Sequence, residues 1–188
     1  TEILPGDVAS AVLGQGATPE TLAAFRKELG LDRPATVRYF EWFWGAIQGD
    51  FGQALTNKRE ILPELMKKFK NTLFLAGVAA LIAVPLSVGL GIIAAINEGK
   101  WQDRWSNIIS LATISVPEFF IAYVLILVFA VKLRWFPSLS TVFDGMPLSE
   151  MLYKITLPAV TSTFMVAAHM LRMTRSSVLA IMSQPYTE

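Results

Sequence analysis

The sequence predicts an all-α, multi-pass membrane protein, and its apolar stretches carry that prediction. The first stretch, Thr72 to Ile96, contains no charged residue, and the second, Asn107 to Val131, contains only Glu118. About 20 apolar residues are enough to cross the hydrocarbon core of a bilayer as a helix, and both stretches are longer than that. A third, less uniform stretch runs from Ile155 to Met173. We therefore expect three membrane spans.

Residues 1–71 are more polar and are predicted to form a helical region outside the bilayer. A first helix is expected between a Thr18 cap, followed by proline in the first turn, and a stop at Gly30. A second helix is predicted over Ala35 to Ile47, with aromatic side chains around most of its circumference. Such a helix either lies in the membrane interface or packs against the protein's own membrane helices, and the two interpretations are compatible. A third, short helix is expected to begin near Ile61.

The first span is expected to be packed among other helices. Pro85 lies in its interior, where neighbouring helices can satisfy the carbonyl group that a proline leaves without a donor. Small side chains along the span permit close contact between helices. These residues are Ala79, Ala80, Ala83, Ser87, Gly91 and Ala94.

The second and third spans are separated by a long connection. The loop Asn97–Ser106 before the second span is short, so the first two spans should be antiparallel neighbours. Residues 136–154 are predicted to be a polar connection, the third span covers 155–173, and the tail Arg175–Glu188 is amphipathic. Lys and Arg are distributed too evenly over the two sides to orient the spans.

Composition excludes several classes of function. The 188 residues carry a formal net charge of +1, so no broad basic field indicates nucleic-acid binding. The sequence has no cysteine, and its single histidine cannot form a histidine metal site alone. Gly89-Leu90-Gly91 lies in an apolar span and lacks the later Gly and Lys of a phosphate-binding loop. Ser115, Asp103 and His169 lie on different elements, so no catalytic triad is expected. We therefore expect that the chain is not an enzyme and that it binds neither ATP nor any other cofactor.

Short segments along nearly the whole chain carry a family resemblance. They are Leu4-Pro5-Gly6-Asp7, Leu13-Gly14, Ala17-Thr18-Pro19-Glu20, Leu29-Gly30-Leu31-Asp32-Arg33-Pro34, Tyr39 with Trp42, Gly49-Asp50-Phe51-Gly52, Asn71-Thr72-Leu73, Ser115-Val116-Pro117 with Phe119, Trp135-Phe136-Pro137, Leu157-Pro158-Ala159, Arg172 to Leu179, and Gln184 with Tyr186. Together, in this order, they resemble the inner-membrane permease subunits of ATP-binding-cassette importers for dipeptides, oligopeptides and nickel.

The resemblance implies a fold and a topology. The fold would be that of a type I importer permease (MetI-like), with a short extracytoplasmic helical segment. The chain is then expected to be a fragment, with the first membrane helix before Thr1 and the coupling helix and last membrane helices after Glu188. Residues 1–71 would lie outside the bacterial inner membrane, whereas Asn97–Ser106 and the C-terminal tail would lie in the cytoplasm.

The resemblance also implies a function and partners. The chain would form half of the translocation pathway of an ATP-driven importer, together with a second permease subunit and two ATP-binding subunits. An extracytoplasmic solute-binding protein would deliver substrate to residues 1–71 and 136–154. Peptides are the leading substrate class, and nickel complexes, opines and short sugars stay open. The alternatives are a stand-alone channel or ion-coupled secondary transporter that uses Glu118, and a membrane-embedded assembly subunit.

Glu118 is the leading candidate for a residue of the pathway. A carboxylate within a membrane span is costly, and is usually paired, exposed to water or functional. The family often has a small or apolar residue at this position, so Glu118 departs from the common pattern. One hypothesis is that Glu118, Ser115 and Pro117 line the translocation path and favour substrates with amino or cationic groups. The alternative is a structural carboxylate bonded to a backbone amide freed by Pro117, or to a partner subunit.

Basic residues near the end of the third span are the second candidate site. Arg172 and Arg175 are three residues apart and share a helix face. They either anchor the span at the cytoplasmic interface or brace the coupling helix against the ATPase. Their expected partners are acidic groups of a neighbouring helix or the phosphate groups of membrane lipid. The approach to the coupling helix is predicted to consist of Arg172, Arg175, Gln184, Tyr186, Thr187 and Glu188. His169 is expected to be a buried, hydrogen-bonded histidine rather than a proton relay.

Overall fold

The computed structural model describes residues 8–14, 16–28, 30–54 and 57–184. These ranges contain helices and no β-strand, apart from an isolated bridge between Gln53 and Glu60. The elements are α1 (Val8–Leu13), α2 (Pro19–Glu28), α3 (Ala35–Ile47), α4 (Ile61–Ile96), α5 (Trp101–Ser115), α6 (Glu118–Leu125), a π-helical segment (Ile126–Lys132) and α7 (Leu148–Met182). The chain divides into two compact units, Thr1–Phe69 and Lys70–Glu188.

In the first unit, the signals that end α2 act as the sequence predicts. The hydroxyl oxygen of Thr18 accepts a hydrogen bond from the backbone N–H of Thr21 at 3.3 Å. At the other end Gly30 adopts a positive φ of 63°, and the N–H of Leu31 donates to the carbonyl of Arg26 at 2.9 Å. Both caps satisfy backbone groups that the helix itself leaves unpaired, which explains why α2 begins and ends there.

Helix α3 has the predicted bounds and an exposed aromatic surface. It begins directly after Pro34, which has an extended backbone conformation, and it continues to Ile47. The Arg33 guanidinium donates a hydrogen bond to Glu41, and this bond holds the pKa of the Glu41 carboxyl below its ordinary value. The exposed large side chains of α3 are Val37, Tyr39, Phe40, Trp42, Phe43, Trp44 and Ile47. Location of α3 in the membrane interface stays a prediction.

Helix α4 is longer than the sequence indicates. The short helix expected near Ile61 does begin there, but it continues without a break to Ile96, so the prediction of a separate element is wrong. Pro85 lies inside the helix without ending it. Next to the proline, the hydroxyl of Ser87 donates to the carbonyl of Ala83 at 2.6 Å. A proline removes only one backbone donor, and the uninterrupted bonds on either side keep the helix continuous.

The small side chains of α4 form a buried stripe, and two of its residues contact α7. Close packing was predicted for most of these residues, without a partner helix. A Cβ atom added to Gly91 would lie 2.7 Å from the Cβ of Thr174 and 2.9 Å from the carbonyl oxygen of Leu171. Farther back along both helices, the Thr163 hydroxyl lies 3.5 Å from the carbonyl oxygen of Ala79. From the contact of Ala79 with Thr163 to that of Gly91 with Thr174, the residue numbers increase along both helices, so α4 and α7 are parallel. The buried residues of α4 are Ala79, Ala83, Ser87, Gly91, Ala94 and Ala95, whereas Ala80 is exposed.

The second predicted span is not one straight helix. Its residues are divided between α5 and the helix formed by α6 with the π-helical segment, and the two are bent by 98°. Helix α7 begins at Leu148, so the last part of the predicted polar connection is helical. Among the described residues, α4 and α7 are long and apolar enough to cross a bilayer, and the bent pair would add a third span if it counts as one. The span boundaries themselves stay predictions.

The connection after the π-helical segment returns to the start of α7. The Tyr153 hydroxyl donates to the carbonyl of Trp135 at 2.9 Å, and the Phe136 and Tyr153 rings are 5.7 Å apart. These contacts close the end of the second unit that is opposite to the contact between Gly91 and Thr174. The start of α7 is therefore fixed by contacts of Tyr153 at one end of the unit, and its last part by contacts of Leu171 and Thr174 at the other end.

Candidate functional site

The bend between α5 and α6 is the first candidate site, and we call residues 115–118 the elbow. Val116 and Pro117 are both extended, with φ/ψ of −98°/131° and −59°/139°. A residue before proline avoids the helical region because of steric conflict with the proline ring, and Pro117 cannot donate a backbone hydrogen bond. Both properties favour the observed break, in which the helix ends at Ser115 and a new one begins at Glu118.

Glu118 is exposed at the elbow, in the first turn of α6. A carboxylate in this position is favoured by the partial positive charge of the helix N-terminus. Within the described part of the chain, its carboxylate makes no hydrogen bond or ion pair. The bond to a freed backbone amide, considered from the sequence, is therefore not present there, and a contact with a partner subunit stays open. The Ser115 hydroxyl is already used, because it donates to the carbonyl of Leu111 at 2.7 Å.

The second candidate site lies where the start of α5 meets the last part of α7. Asp103 is 5% exposed, and the guanidinium of Arg175 forms two hydrogen bonds with its carboxylate, one of them at 2.8 Å. The carboxylate also accepts the backbone N–H of Gly99 at 3.0 Å and the side-chain amide of Asn107 at 2.9 Å. Glu98 lies 4.0 Å from the same guanidinium. Four donor groups thus surround one buried acid, which is a stable arrangement for a charge removed from water.

The two arginines predicted to act together have different environments. Arg172 and Arg175 line the same cavity of about 330 Å³, as their spacing predicts. Arg175 is engaged by Asp103, whereas Arg172 is exposed and makes no hydrogen bond or ion pair with the described residues. His169 lines this cavity too, and it is exposed, so the expectation of a buried histidine is wrong for this chain.

The remaining predicted coupling residues lie at the end of the described chain. Helix α7 ends at Met182, and Gln184 is half-buried with its backbone N–H bonded to the carbonyl of Ile181 at 3.2 Å. Tyr186, Thr187 and Glu188 lie outside the described residues. In the described ranges, no group of three or more His, Cys, Asp or Glu side chains is placed to hold a metal ion.

Sequence reasoning missed Asp103 and Gly91 as partners of α7. In the sequence, Asp103 was considered only as a member of a catalytic triad that was not expected to form, and its partner is 72 residues away. A signal was nevertheless present, since an acid that begins a helix and an arginine that follows an apolar span are natural partners when the spans are antiparallel neighbours. Gly91 was recognised as a small residue, but the sequence does not show which helix it contacts.

Comparison with known proteins relates the chain to membrane components of transport systems. Residues 87–188 match the family described as binding-protein-dependent transport system inner membrane component, and residues 2–76 match its N-terminal part. A candidate peptide transport system permease protein of Brucella abortus (strain 2308) is 34% identical over 186 residues, which cover 98% of this chain and 59% of that protein. The glutathione transport system permease protein GsiC of Escherichia coli (strain K12) is 34% identical over 184 residues, which cover 98% of this chain and 58% of GsiC.

These matches are sufficient to assign the chain to a family. It spans less than two thirds of the length of the curated relatives to which it is similar. The all-α membrane fold expected from the resemblance is confirmed by the helical structure and by the family match. Because the first family model alone covers more than half of the residues, the chain belongs to the family of inner-membrane components of binding-protein-dependent transport systems.

Proposed function

We propose that the chain forms part of a permease subunit of an ATP-driven importer, and that the elbow lines its translocation pathway. The observation that carries the proposal is Glu118, an exposed carboxylate without a partner in the described chain, at a 98° bend between two apolar helices. In lipid such a charge would be strongly unfavourable, so it requires water, a substrate or a partner subunit. A water-filled pathway between two permease subunits provides all three.

The proposed substrate is a peptide or another small solute with an amino group. The names of the relatives refer to peptide and glutathione transport. A carboxylate at the elbow would attract the ammonium group of such a solute as it passes, while the exposed side chains of Phe119 and Phe120 offer apolar contact. The charge of Glu118 would thus act on solutes that a binding protein has already selected.

The proposed partners rest on the family to which the chain belongs and on the uncovered apolar surfaces of the second unit. Only 33% of the apolar window of α4 and 28% of that of α7 are buried within the chain, so lipid and other helices must cover the rest. A second permease subunit, two ATP-binding subunits and an extracytoplasmic solute-binding protein complete the importer. Arg172, Gln184, Tyr186, Thr187 and Glu188 would form the approach to the ATPase, and Arg175 would act from its internal contact with Asp103.

The proposal of an importer is tested by the composition of the purified complex. The full-length protein is solubilised from its native membrane and purified, and the proteins that copurify are identified by mass spectrometry. We expect two ATP-binding chains and a second permease. A homo-oligomer without an ATPase would contradict the proposal and would favour a channel or ion-coupled carrier.

The position of Glu118 in a water-filled pathway is tested by thiol labelling. The sequence has no cysteine, so a single cysteine can be introduced into a full-length protein from which any other cysteines have been removed. Glu118→Cys is expected to react with a charged, membrane-impermeant thiol reagent in the assembled importer. The matched control is Leu81→Cys, because Leu81 is 78% exposed on α4 and is expected to face lipid. Equal, slow labelling of both positions would contradict a pathway at the elbow.

A further inference from the structure

The last third of α7 is fixed to two helices at one level of the second unit. On one side Gly91 brings the backbone of α4 against Leu171 and Thr174, so closely that no Cβ atom fits between them. On the other side, Arg175 binds Asp103 at the start of α5. Adjacent residues of α7 thus make both contacts, and this part of the helix cannot shift along either neighbour without breaking one of them.

The contact on the α5 side is a joint with defined geometry. The planar guanidinium of Arg175 forms two parallel bonds to one carboxylate, which fixes its orientation as well as its distance. The N–H of Gly99 and the amide of Asn107 hold the same carboxylate from the loop and from the next turn of α5. Asp103 therefore connects three segments of the chain, and Arg175 is only 21% exposed where it enters this cluster.

Helix α5 extends directly from this joint to the elbow. Asp103 lies in its first turn and Ser115 is its last residue, so about 18 Å of continuous helix separates the joint from the bend. A helix of this length transmits a displacement of one end to the other with little internal deformation. A movement of α7 at Arg175 would therefore change the position of the elbow and of Glu118.

We propose that the ion pair between Asp103 and Arg175 is a mechanical joint that couples movement of α7 to the elbow. The proposal rests on the proposed importer function, because it assumes that α7 moves when the ATP-binding subunits act on the segment after Met182. Asp103 and Arg175 are then positioning residues, since they act on the elbow only through α5 and α7. Their role is to keep α5 and α7 together while the pathway changes shape.

The test is the variant Asp103→Asn in the complete importer. Asparagine has the same shape and can still accept the hydrogen bond of Gly99, but it lacks the charge that binds Arg175. The measured quantity is the ratio of ATPase activity with substrate-loaded binding protein to basal ATPase activity, per assembled complex. We expect this ratio to fall by about fivefold or more, the range of typical coupling between distant sites. A purely structural pair would change the amount of complex but not the ratio.

The control is Arg104→Gln, which removes an exposed charge next to Asp103 on the same helix and should leave the ratio unchanged. If Asp103→Asn does not assemble, the same ratio is measured for Arg175→Lys, because this variant keeps the charge but loses the two parallel bonds. A wild-type ratio in an assembled complex of either variant would overturn the joint. Absence of ATPase chains from the wild-type complex would instead overturn the importer function, so the two failures are distinguishable.

Discussion

Asp103 in the first turn of α5 and Glu118 in the first turn of α6, just beyond the other end of α5, are two carboxylates with opposite environments. Asp103 is buried and accepts hydrogen bonds from Arg175, Gly99 and Asn107. Glu118 is exposed and has no partner in the described part of the chain. The sequence distinguishes Glu118 as the one charge within the second predicted span, but it does not show that Asp103 has a buried partner. The structure separates them into a charge that holds helices together and a charge that is available to another molecule.

This difference predicts which property, stability or binding, a substitution should change in each region. Removing Arg175 leaves the buried Asp103 carboxylate without its cation, which lowers stability strongly. Removing an unpaired, exposed charge changes what the surface can bind and leaves the packing intact. Substitutions at Asp103 should therefore lower stability in addition to the coupling proposed above, whereas substitutions at Glu118 should affect transport alone.

The largest expected loss of stability comes from Arg175→Gln. It leaves the buried Asp103 carboxylate without its cation, and removal of one partner from a buried pair typically costs about 3–5 kcal/mol. We expect little assembled protein and a clearly lower thermal midpoint in detergent. Arg104→Gln is the control on an exposed surface. A wild-type midpoint for Arg175→Gln would show that the pair does not hold α5 and α7 together.

A smaller loss is expected from Gly91→Ala. The added Cβ would lie 2.7 Å from the Cβ of Thr174, so α4 and α7 must separate slightly, and such overpacking costs about 1–3 kcal/mol. Gly89→Ala is the matched control, because a Cβ added there meets nothing within 4 Å. Thermal unfolding of the two variants in parallel tests the contact. If both have the same midpoint, α4 and α7 are not in close contact at Gly91.

The smallest effect is expected from His169→Gln. The histidine is exposed on α7, and substitutions of exposed residues without specific contacts usually change stability by no more than about 0.5 kcal/mol. We also expect a wild-type rate of substrate uptake over a range of pH. A loss of uptake, or a change in its pH dependence, would give His169 a role in transport that the comparison of Asp103 with Glu118 does not include.

Local features of the fold could be predicted because they depend on neighbouring residues. The cap at Thr18, the stop at Gly30 and the bounds of α3 follow from side chains within one turn of each helix end. The small residues of α4 predicted close packing because their size is visible in the sequence. The partner of that packing was not predictable, since nothing local to Gly91 refers to Thr174.

The prolines show where prediction from the sequence ends. Pro85 and Pro158 lie inside continuous helices, whereas Pro117 coincides with a 98° bend. The sequence predicted a break at none of them. Whether a proline bends or ends a helix depends on how the surrounding helices pack, because they must satisfy or replace the lost hydrogen bond. The pairing of Asp103 with Arg175 likewise depends on tertiary contact, although the family resemblance predicts that both residues lie on the cytoplasmic side.

The central claim is that the acid at the elbow serves transport and the acid at the joint holds the helices. The most direct test measures substrate uptake per assembled complex and thermal midpoint for Glu118→Gln, with Asp103→Asn measured in parallel. We predict that Glu118→Gln keeps the wild-type midpoint and loses most of its uptake, whereas Asp103→Asn lowers the midpoint. Normal uptake by Glu118→Gln, or a midpoint lowered as far as that of Asp103→Asn, would contradict this division of roles.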